Sequence, residues 1–304
     1  MPLPLLEAAM VLAWSSGFVG VRLAVEAAGV WDAVFWRFVA ATACLFLIVL
    51  MIDPARRRID IGRHSVTGLL AMTAFIFGVV MAIDLGVSAG LTALITALQP
   101  VTTGLLSGIV LKQPARARQW LGMLIGLAGV GLALSGEIAI TAAPIWAYAL
   151  PFVSMLALTA ATMLEERAKR PETGPEDSPV AVLLVHCLGA AMVFSVVAGI
   201  DNSPPPADTV TFVMAVAWLV VFSTIGGFGL YWMCLRRTSP VRVATLLYLS
   251  PPITMVWAAL MFGDPITVVA ILGFGVCLFG IWVAGSRTAG LQAACAPASC
   301  GKTG

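Results

Sequence analysis

The segment at positions 89–111, AGLTALITALQPVTTGLLSGIVL, holds 23 residues and not one charge. A helix needs about 20 apolar residues to cross the hydrocarbon core of a bilayer. Charged residues return immediately afterwards, at Lys112 and Arg116. The segment is therefore predicted to be a transmembrane helix, with Pro100 near its middle.

The rest of the chain repeats this pattern of apolar runs separated by short polar breaks. Its 304 residues are 60% hydrophobic and 11% charged, whereas soluble domains carry about 25% charged residues. We predict an all-α polytopic membrane protein with ten transmembrane helices. The expected spans are 5–28, 31–52, 66–86, 89–111, 116–136, 144–167, 179–199, 210–235, 240–262 and 266–285.

The positive charges give the predicted orientation. Of the 17 lysines and arginines, all but Arg22 and Arg37 lie in alternate loops and in the C-terminal tail. Loops with excess positive charge stay in the cytoplasm. We therefore expect a multi-pass protein of a bacterial-type inner (plasma) membrane with both termini cytoplasmic. Residues 287–304 are expected to be a disordered cytoplasmic tail.

An internal repeat relates the two halves of the chain. Shifting the sequence by 151 residues aligns the third to fifth spans with the eighth to tenth, so that Pro100 meets Pro251. Further matched pairs are Phe77 and Phe228, Gly78 and Gly229, Ser88 and Ser239, Ala93 and Ala244, Leu98 and Leu249, Thr103 and Thr254, Pro114 and Pro265, Gly122 and Gly273, Gly129 and Gly280, Ala133 and Ala284, and Ser135 and Ser286.

Each half contains five helices, an odd number, so the second copy must insert upside down. We expect residues 1–143 to form the first five-helix repeat and 144–286 the second, inverted one. Inverted repeats are the architecture of secondary transporters, which bind substrate near the bilayer midplane at the repeat interface.

Several short motifs carry a family resemblance. They are Trp14-Ser15-Ser16-Gly17-Phe18, Arg37-Phe38, Leu98-Gln99-Pro100 followed by a basic turn, and Gly122-x3-Gly126-x2-Gly129. With these motifs the chain resembles the drug/metabolite transporter superfamily over residues 5–286, in particular the EamA-type ten-helix exporters. Within that group it is similar to YddG-like aromatic amino-acid exporters. The resemblance implies export of amino acids, other small metabolites or drugs through a central cavity by alternating access.

Candidate substrate contacts centre on the fourth and ninth spans. Thr92, Thr96, Gln99 and Thr103 share one helical face, and a proline within a helix removes a backbone donor. Aromatic and thioether side chains elsewhere would suit flat or apolar ligands. The alternative for each residue is helix packing or interhelical hydrogen bonding. The predicted substrate-binding residues are Trp14, Ser15, Phe77, Met81, Thr96, Gln99, Pro100, Thr103, Met155, Phe228, Trp232, Tyr248, Ser250 and Pro251.

Ionisable residues are rare within the spans. Glu7 and Asp84 fall at span ends and are expected to be interfacial, so obligate proton exchange is not supported. Arg37 is expected to pair with Asp32 or Asp84. His186 is interpreted as a satisfied packing residue, and the chain's other histidine falls in a predicted loop.

Two other functions stay open. A nucleotide-sugar or lipid-linked carrier permease would need several cationic side chains in its cavity, and only Arg37 qualifies. An intramembrane enzyme would need clustered carboxylates or a histidine-rich metal site, and the chain has two histidines. We expect no catalytic residues, no cofactor, no metal and no nucleic-acid partner. The expected partners are a small-molecule substrate and the lipid bilayer, with the protein a monomer or weak homo-oligomer.

Reporter fusions test the orientation. Fusions after Arg58, Arg116, Arg170 and Arg237 should report the cytoplasm, because the arginines there oppose translocation. Fusions after Gly90, Glu137 and Asp208 should report the outer side. A cytoplasmic signal from the Asp208 fusion would break the ten-helix topology.

Overall fold

A computed structural model describes residues 1–52, 60–87, 89–135, 143–168, 177–200 and 208–285, and all regular structure in these ranges is helical. The predicted tail at 287–304 lies outside the described residues. The helices are α1 (Leu3–Ala27), α2 (Val30–Ile52), α3 (Ile61–Asp84), α4 (Ala89–Thr96 and Gln99–Val110), α5 (Ala117–Ala133), α6 (Ile145–Arg167), α7 (Pro179–Ile200), α8 (Thr209–Arg237), α9 (Pro240–Phe262) and α10 (Val268–Gly285).

The helices match the prediction of a polytopic membrane protein. In the described part of the chain, nine are long and apolar enough to cross a membrane, and α5 is a shorter apolar helix of 17 residues. Large apolar side chains such as Leu47, Met192 and Leu260 are exposed on the outside of the bundle. An exposed apolar surface of this kind is stable against lipid and not against water. The predicted all-α membrane fold is confirmed.

The start of α3 differs from the prediction. The helix begins at Ile61 instead of residue 66, because the side chain of Asp60 accepts a hydrogen bond from the backbone N–H of Arg63 at 3.1 Å and caps the first turn. His64 is therefore a fully buried helical residue and not a loop residue. Hydropathy missed this turn because Arg63, His64 and Ser65 are polar, although His64 packs inside the bundle.

Four helices depart from regular α geometry in the interior. Residues 69–74 of α3 and 219–228 of α8 are π-helical, α4 is interrupted at 97–98, and α9 has a 3₁₀ turn at 247–249. The 151-residue offset carries 69–74 onto 220–225 and Leu98 onto Leu249. Interruptions of this kind often mark functional sites in membrane helices.

Pro100 and Pro251 sit just after these interruptions. Each occupies the first turn of a new helical segment, Gln99–Val110 or Ser250–Phe262. A proline there displaces no intrahelical hydrogen bond, because the first turn has no partner for its N–H groups. Both prolines lie near the middle of a span, as predicted, but at an interruption instead of within a continuous α-helix.

The largest contacts between helices correspond between the two halves of the chain. α2 packs on α7, and α5 packs on α10. The contact between α1 and α8 corresponds to that between α6 and α3, and the contact between α9 and α1 corresponds to that between α4 and α6. Exchanging the first five helices with the last five leaves this set of pairs unchanged. The end of the bundle that holds Met1, Arg63 and Arg237 is called the arginine-rich end below, and the other the opposite end.

Glycines bring α5 and α10 into backbone contact. A Cβ on Gly280 would lie 2.5 Å from the backbone N of Gly126 and 2.7 Å from the carbonyl O of Gly122. A Cβ on Gly273 would lie 2.5 Å from the backbone N of Ala133. Close approach of small residues allows van der Waals contact that lipid cannot match.

Replacing one glycine tests this interface. Gly280→Ala should lower the free energy of unfolding by about 1–3 kcal/mol, the usual cost of overpacking, because the new methyl group meets backbone atoms that cannot turn aside. Gly275→Ala on the same helix is the matched control, since nothing lies within 4 Å of a Cβ there. Thermal unfolding in detergent measures both. Equal melting temperatures for the two variants would contradict the packing.

Candidate functional site

An aromatic cluster occupies the middle of the bundle. The ring of Trp14 on α1 lies 4.7 Å from that of Phe228 and 5.4 Å from that of Tyr231, both on α8, and 6.2 Å from that of Phe75 on α3. Phe228 and Tyr231 are buried. The cluster presents flat, polarisable surfaces from three helices, which suits contact with an apolar or aromatic group.

Hydroxyl and amide groups surround the cluster. The Tyr231 hydroxyl shares a 2.6 Å hydrogen bond with Thr162 Oγ1 of α6 and also interacts with the Gln99 side chain of α4. Ser15 Oγ of α1 lies 3.3 Å from Ser250 Oγ of α9. Helices of both halves therefore contribute polar groups at the depth of Trp14.

Four buried polar atoms of predicted site residues have no hydrogen-bond partner in the described part of the chain. They are Gln99 Nε2, Thr103 Oγ1, Trp232 Nε1 and Tyr248 Oη. Most buried polar atoms in proteins are satisfied, so each exception calls for a reason such as water or a bound ligand.

The structure brings together part of the predicted site. Trp14, Ser15, Gln99, Phe228 and Ser250 meet as described above. Pro100 and Pro251 adjoin Gln99 and Ser250 in the sequence, and Thr103 is one turn from Gln99 on the same buried face. Met155 of α6 approaches α4, where its Sδ accepts a 3.1 Å hydrogen bond from Thr102 Oγ1.

Other predicted residues point elsewhere. Phe77 lies against Trp31, with ring centroids 5.4 Å apart, and Met81 follows one turn later toward the opposite end. Phe75 takes the expected place of Phe77 beside Trp14. A π-helical turn holds more residues than an α turn, so the stretch at 69–74 changes which residue of α3 faces inward.

Three further predicted residues contact other parts of the bundle. Thr96 Oγ1 donates to the carbonyls of Thr92 and Ala93 on its own helix. The Tyr248 ring lies against Gly126 of α5, away from the aromatic cluster. Trp232 is buried beside Tyr231 but lies at 5.5 Å from the ring of His186, on the far side of the cluster from Trp14.

Arg37 is a buried cation that the predictions misplaced. Its Nε donates to Thr224 Oγ1 at 2.8 Å and its Nη2 to Ser223 Oγ at 2.9 Å, and its side chain is buried. Within the described residues no carboxylate pairs with it, so the expected partnership with Asp32 or Asp84 is wrong. Thr224 lies one helical turn from Phe228, which places Arg37 next to the aromatic cluster on the side of the opposite end.

Sequence reasoning missed several of these groups. Tyr231, Thr162 and Phe75 were not predicted, and no matched pair at the 151-residue offset includes them. A tyrosine within an apolar span was an available signal, because its hydroxyl needs a partner inside the bundle.

Ion pairs flank the centre on both sides. At the arginine-rich end, Arg242 of α9 holds Glu7 of α1 with two hydrogen bonds, of 2.5 and 2.9 Å. At the opposite end, Arg22 pairs with Asp264 at 2.6 Å. Glu7 lies one turn into α1 and is buried by its partner.

The midplane is closed in this structure. Ser15, Thr103 and Tyr248 are at most 1% exposed. One cleft of about 160 Å³ opens at the arginine-rich end between Gln119, Pro114 and Pro240, and a second of about 340 Å³ is lined by Leu94, Ile95, Leu98 and Leu127. The buried groups of the centre line neither cleft, so substrate can reach them only after the helices move.

These features are those of a polytopic α-helical membrane protein with a buried polar and aromatic centre. A family model described as the EamA-like transporter family matches residues 4–135 and 138–286. The chain belongs to the EamA-like transporter family and is a membrane transporter. The resemblance drawn from the sequence motifs is confirmed.

Known proteins similar to this chain cover most of its length. It is 24% identical over 288 residues to the "Uncharacterized inner membrane transporter YedA" of Escherichia coli K12, covering 92% of this chain and 90% of that protein. It is 21% identical over 224 residues to a "Probable amino-acid metabolite efflux pump" of Salmonella typhimurium, covering 72% and 74%. One crystal structure superimposes with a TM-score of 0.77 at 17% identity, covering 93% of this chain and 97% of the other. The chain is accordingly a multi-pass inner-membrane protein.

The Glu7 ion pair yields a prediction about coupling. Glu7→Gln should lower the free energy of unfolding by about 1–2 kcal/mol, because Arg242 loses its ionic partner. The loss stays this small because solvent screens the exposed part of the Arg242 side chain. Substrate exchange per folded molecule should persist, since Glu7 lies away from the aromatic cluster.

Asp84→Asn is the control for the Glu7 substitution. Asp84 is exposed and only accepts a 3.4 Å hydrogen bond from Trp31, so this variant should be close to the unsubstituted protein in both readouts. Thermal unfolding and exchange in liposomes are the measurements. Abolished exchange in folded Glu7→Gln protein would show that this carboxylate titrates during transport.

Proposed function

We propose that this transporter exports amino acids, including aromatic and apolar ones, by alternating access through a central site between two inverted five-helix repeats, 1–143 and 144–286. Its orientation would place both termini in the cytoplasm. The proposal agrees with the name of the Salmonella typhimurium relative, a "Probable amino-acid metabolite efflux pump".

The observation that carries the substrate class is the position of Arg37 beside the aromatic cluster. A buried cation without an anionic partner is costly, and such groups in membrane proteins mark substrate or ion sites. An amino acid supplies both missing partners, a carboxylate for the guanidinium and a side chain for the rings of Trp14 and Phe228. Arg37 has five N–H donors. Two of them donate hydrogen bonds to the hydroxyl oxygens of Thr224 and Ser223, which an incoming carboxylate can displace.

Unsatisfied polar atoms extend the proposed site toward α4. Gln99 Nε2 and Thr103 Oγ1 lack partners in the described residues, and Gln99 adjoins the Tyr231 hydroxyl. A substrate amino group or ordered water would satisfy them once the centre opens. The predicted contacts with Gln99, Pro100, Ser250 and Pro251 belong to the same proposal.

Three features support the repeat architecture. The family model matches each half of the chain, and the largest helix contacts are unchanged when the halves are exchanged. The π-helical stretches of α3 and α8 also overlap at the 151-residue offset. Inverted repeats provide two conformations of similar energy, because each half can adopt the shape of the other.

A carboxylate-dependence assay tests the substrate class. Unsubstituted protein in liposomes should transport labelled phenylalanine in preference to phenylalaninamide, which lacks the carboxylate. Arg37→Gln should reduce phenylalanine transport about 10- to 100-fold, because a hydrogen bond to a charged group contributes about 1.5–3 kcal/mol and 1.4 kcal/mol is a factor of ten.

Arg22→Gln is the matched control, since Arg22 is an exposed arginine paired with Asp264. Arg22→Gln should change the rate of phenylalanine transport by no more than about twofold, because a surface ion pair contributes little free energy. The amide should be transported similarly by all three proteins. An equal loss of phenylalanine and phenylalaninamide transport in Arg37→Gln protein would mean that Arg37 only supports the fold. In that case the variant would also have a lower melting temperature in thermal unfolding.

A further inference from the structure

A second group of buried polar side chains lies at the arginine-rich end, outside the proposed substrate site. His64 of α3, Glu165 of α6 and His186 of α7 each offer one donor atom, and these three atoms lie within 4.8 Å of one another. His64 Nδ1 is 3.0 Å from Glu165 Oε1. Ligands of a tetrahedral zinc ion at about 2.0–2.1 Å lie roughly 3.3 Å apart. The distances between the three ligand atoms therefore need to shorten by no more than about 1.5 Å for the group to enclose such an ion.

His186 lacks any hydrogen-bond partner. It is fully buried, and neither of its ring nitrogens is hydrogen-bonded within the described residues. Its expected role as a satisfied packing residue is therefore wrong. The ring is held tightly, since a Cβ on Gly68 would lie 2.6 Å from His186 Cα and Trp232 packs edge-on against it. A buried imidazole with both nitrogens unpaired is costly, and a metal ion would satisfy one of them.

The second nitrogen of His64 contacts a carboxylate. His64 Nε2 lies 3.0 Å from Asp177 Oδ2, on the side of the ring away from Glu165. Metal-binding histidines usually donate their other N–H to a carboxylate, which fixes the tautomer and the ring orientation. Arg63 Nη2, which can only donate, also lies 2.8 Å from His64 Nε2. Metal binding therefore requires the Arg63 guanidinium to turn away from Nε2, so that Nε2 carries the proton and Nδ1 presents its lone pair beside Glu165.

The nearby charges leave Glu165 available for a cation. Arg63 Nη2 lies 2.9 Å from Asp177 Oδ2 and 2.8 Å from His64 Nε2, so this guanidinium offsets Asp177 on the Nε2 side. Asp177 Oδ2 accepts hydrogen bonds on this side of the ring, and Glu165 Oε1 faces the other ring nitrogen.

We propose that His64, Glu165 and His186 form a binding site for a divalent transition-metal cation such as Zn²⁺. Two imidazoles and one carboxylate suit zinc and leave a coordination position open, whereas Ca²⁺ and Mg²⁺ take oxygen ligands. Glu165 and Asp177 side chains are 16% and 20% exposed, which gives an ion a route from the surface. A charged His64 held between two carboxylates would explain its own contacts but would leave His186 without a partner.

The bound ion would join helices of both halves. α3 belongs to the first half, whereas α6 and α7 belong to the second. Binding to the folded protein alone stabilises it by mass action, so Zn²⁺ should raise the melting temperature. This inference concerns binding, and it stands or fails independently of the transported substrate.

Metal titration of the full-length protein tests the site. The protein should carry a purification tag without histidine and be stripped of metal in detergent. Cys295→Ser and Cys300→Ser should form the background, because thiolates of the tail also bind zinc. Calorimetry with Zn²⁺ should give one site per chain, and Co²⁺ should give the visible absorption of a tetrahedral complex.

Ligand variants decide which residues bind. Glu165→Gln should abolish the Co²⁺ absorption, whereas Glu166→Gln, the matched change one residue later, should preserve it. Asp177→Asn should weaken Zn²⁺ binding about 10- to 100-fold, the usual effect of losing a carboxylate behind a histidine ligand. His186→Cys should keep binding and shift the Co²⁺ spectrum, because a thiolate replaces the imidazole. Absence of a saturable Zn²⁺ site, or a site unchanged in Glu165→Gln and His186→Cys, would overturn the proposal.

Discussion

The absence of water inside the bilayer governs this structure. No solvent is present to satisfy a polar group there, so each one must find a partner within the bundle or carry a cost. The described polar side chains accordingly meet at helix contacts, as where Arg37 binds Ser223 and Thr224 and where Tyr231 binds Thr162. The few buried atoms left without partners, including those of Gln99 and His186, are therefore the best indicators of where a ligand binds.

The same constraint explains what the sequence could predict. Apolar length and loop charge suffice to find the spans, because lipid selects for both along every helix. The glycine face of α5 and α10 was also readable, since Gly122 and Gly280 have few roles in a membrane helix other than close packing. Neither signal depends on knowing which helices are neighbours.

Side-chain partners were harder to predict, because they depend on helix rotation and on contacts distant in sequence. The π-helical stretch of α3 replaces Phe77 with Phe75 at the centre. Asp60 caps an unexpected first turn and buries His64, which then meets Glu165, 101 residues later in the chain. Trp232 shows how closely the regions adjoin, since its ring lies against both Tyr231 and His186. No local pattern in the sequence reports such contacts.

The central claim is that Gln99 lines a pathway that opens to each side of the membrane in turn. Gln99→Cys in a chain whose native cysteines are replaced tests it directly, with a membrane-impermeant thiol reagent applied from either side. The account predicts modification from both sides and protection by phenylalanine on both. Leu105→Cys, at an exposed position farther along α4, should face lipid and resist the reagent throughout. A cysteine at position 99 that is inert from both sides, or that reacts equally with and without substrate, would contradict the account.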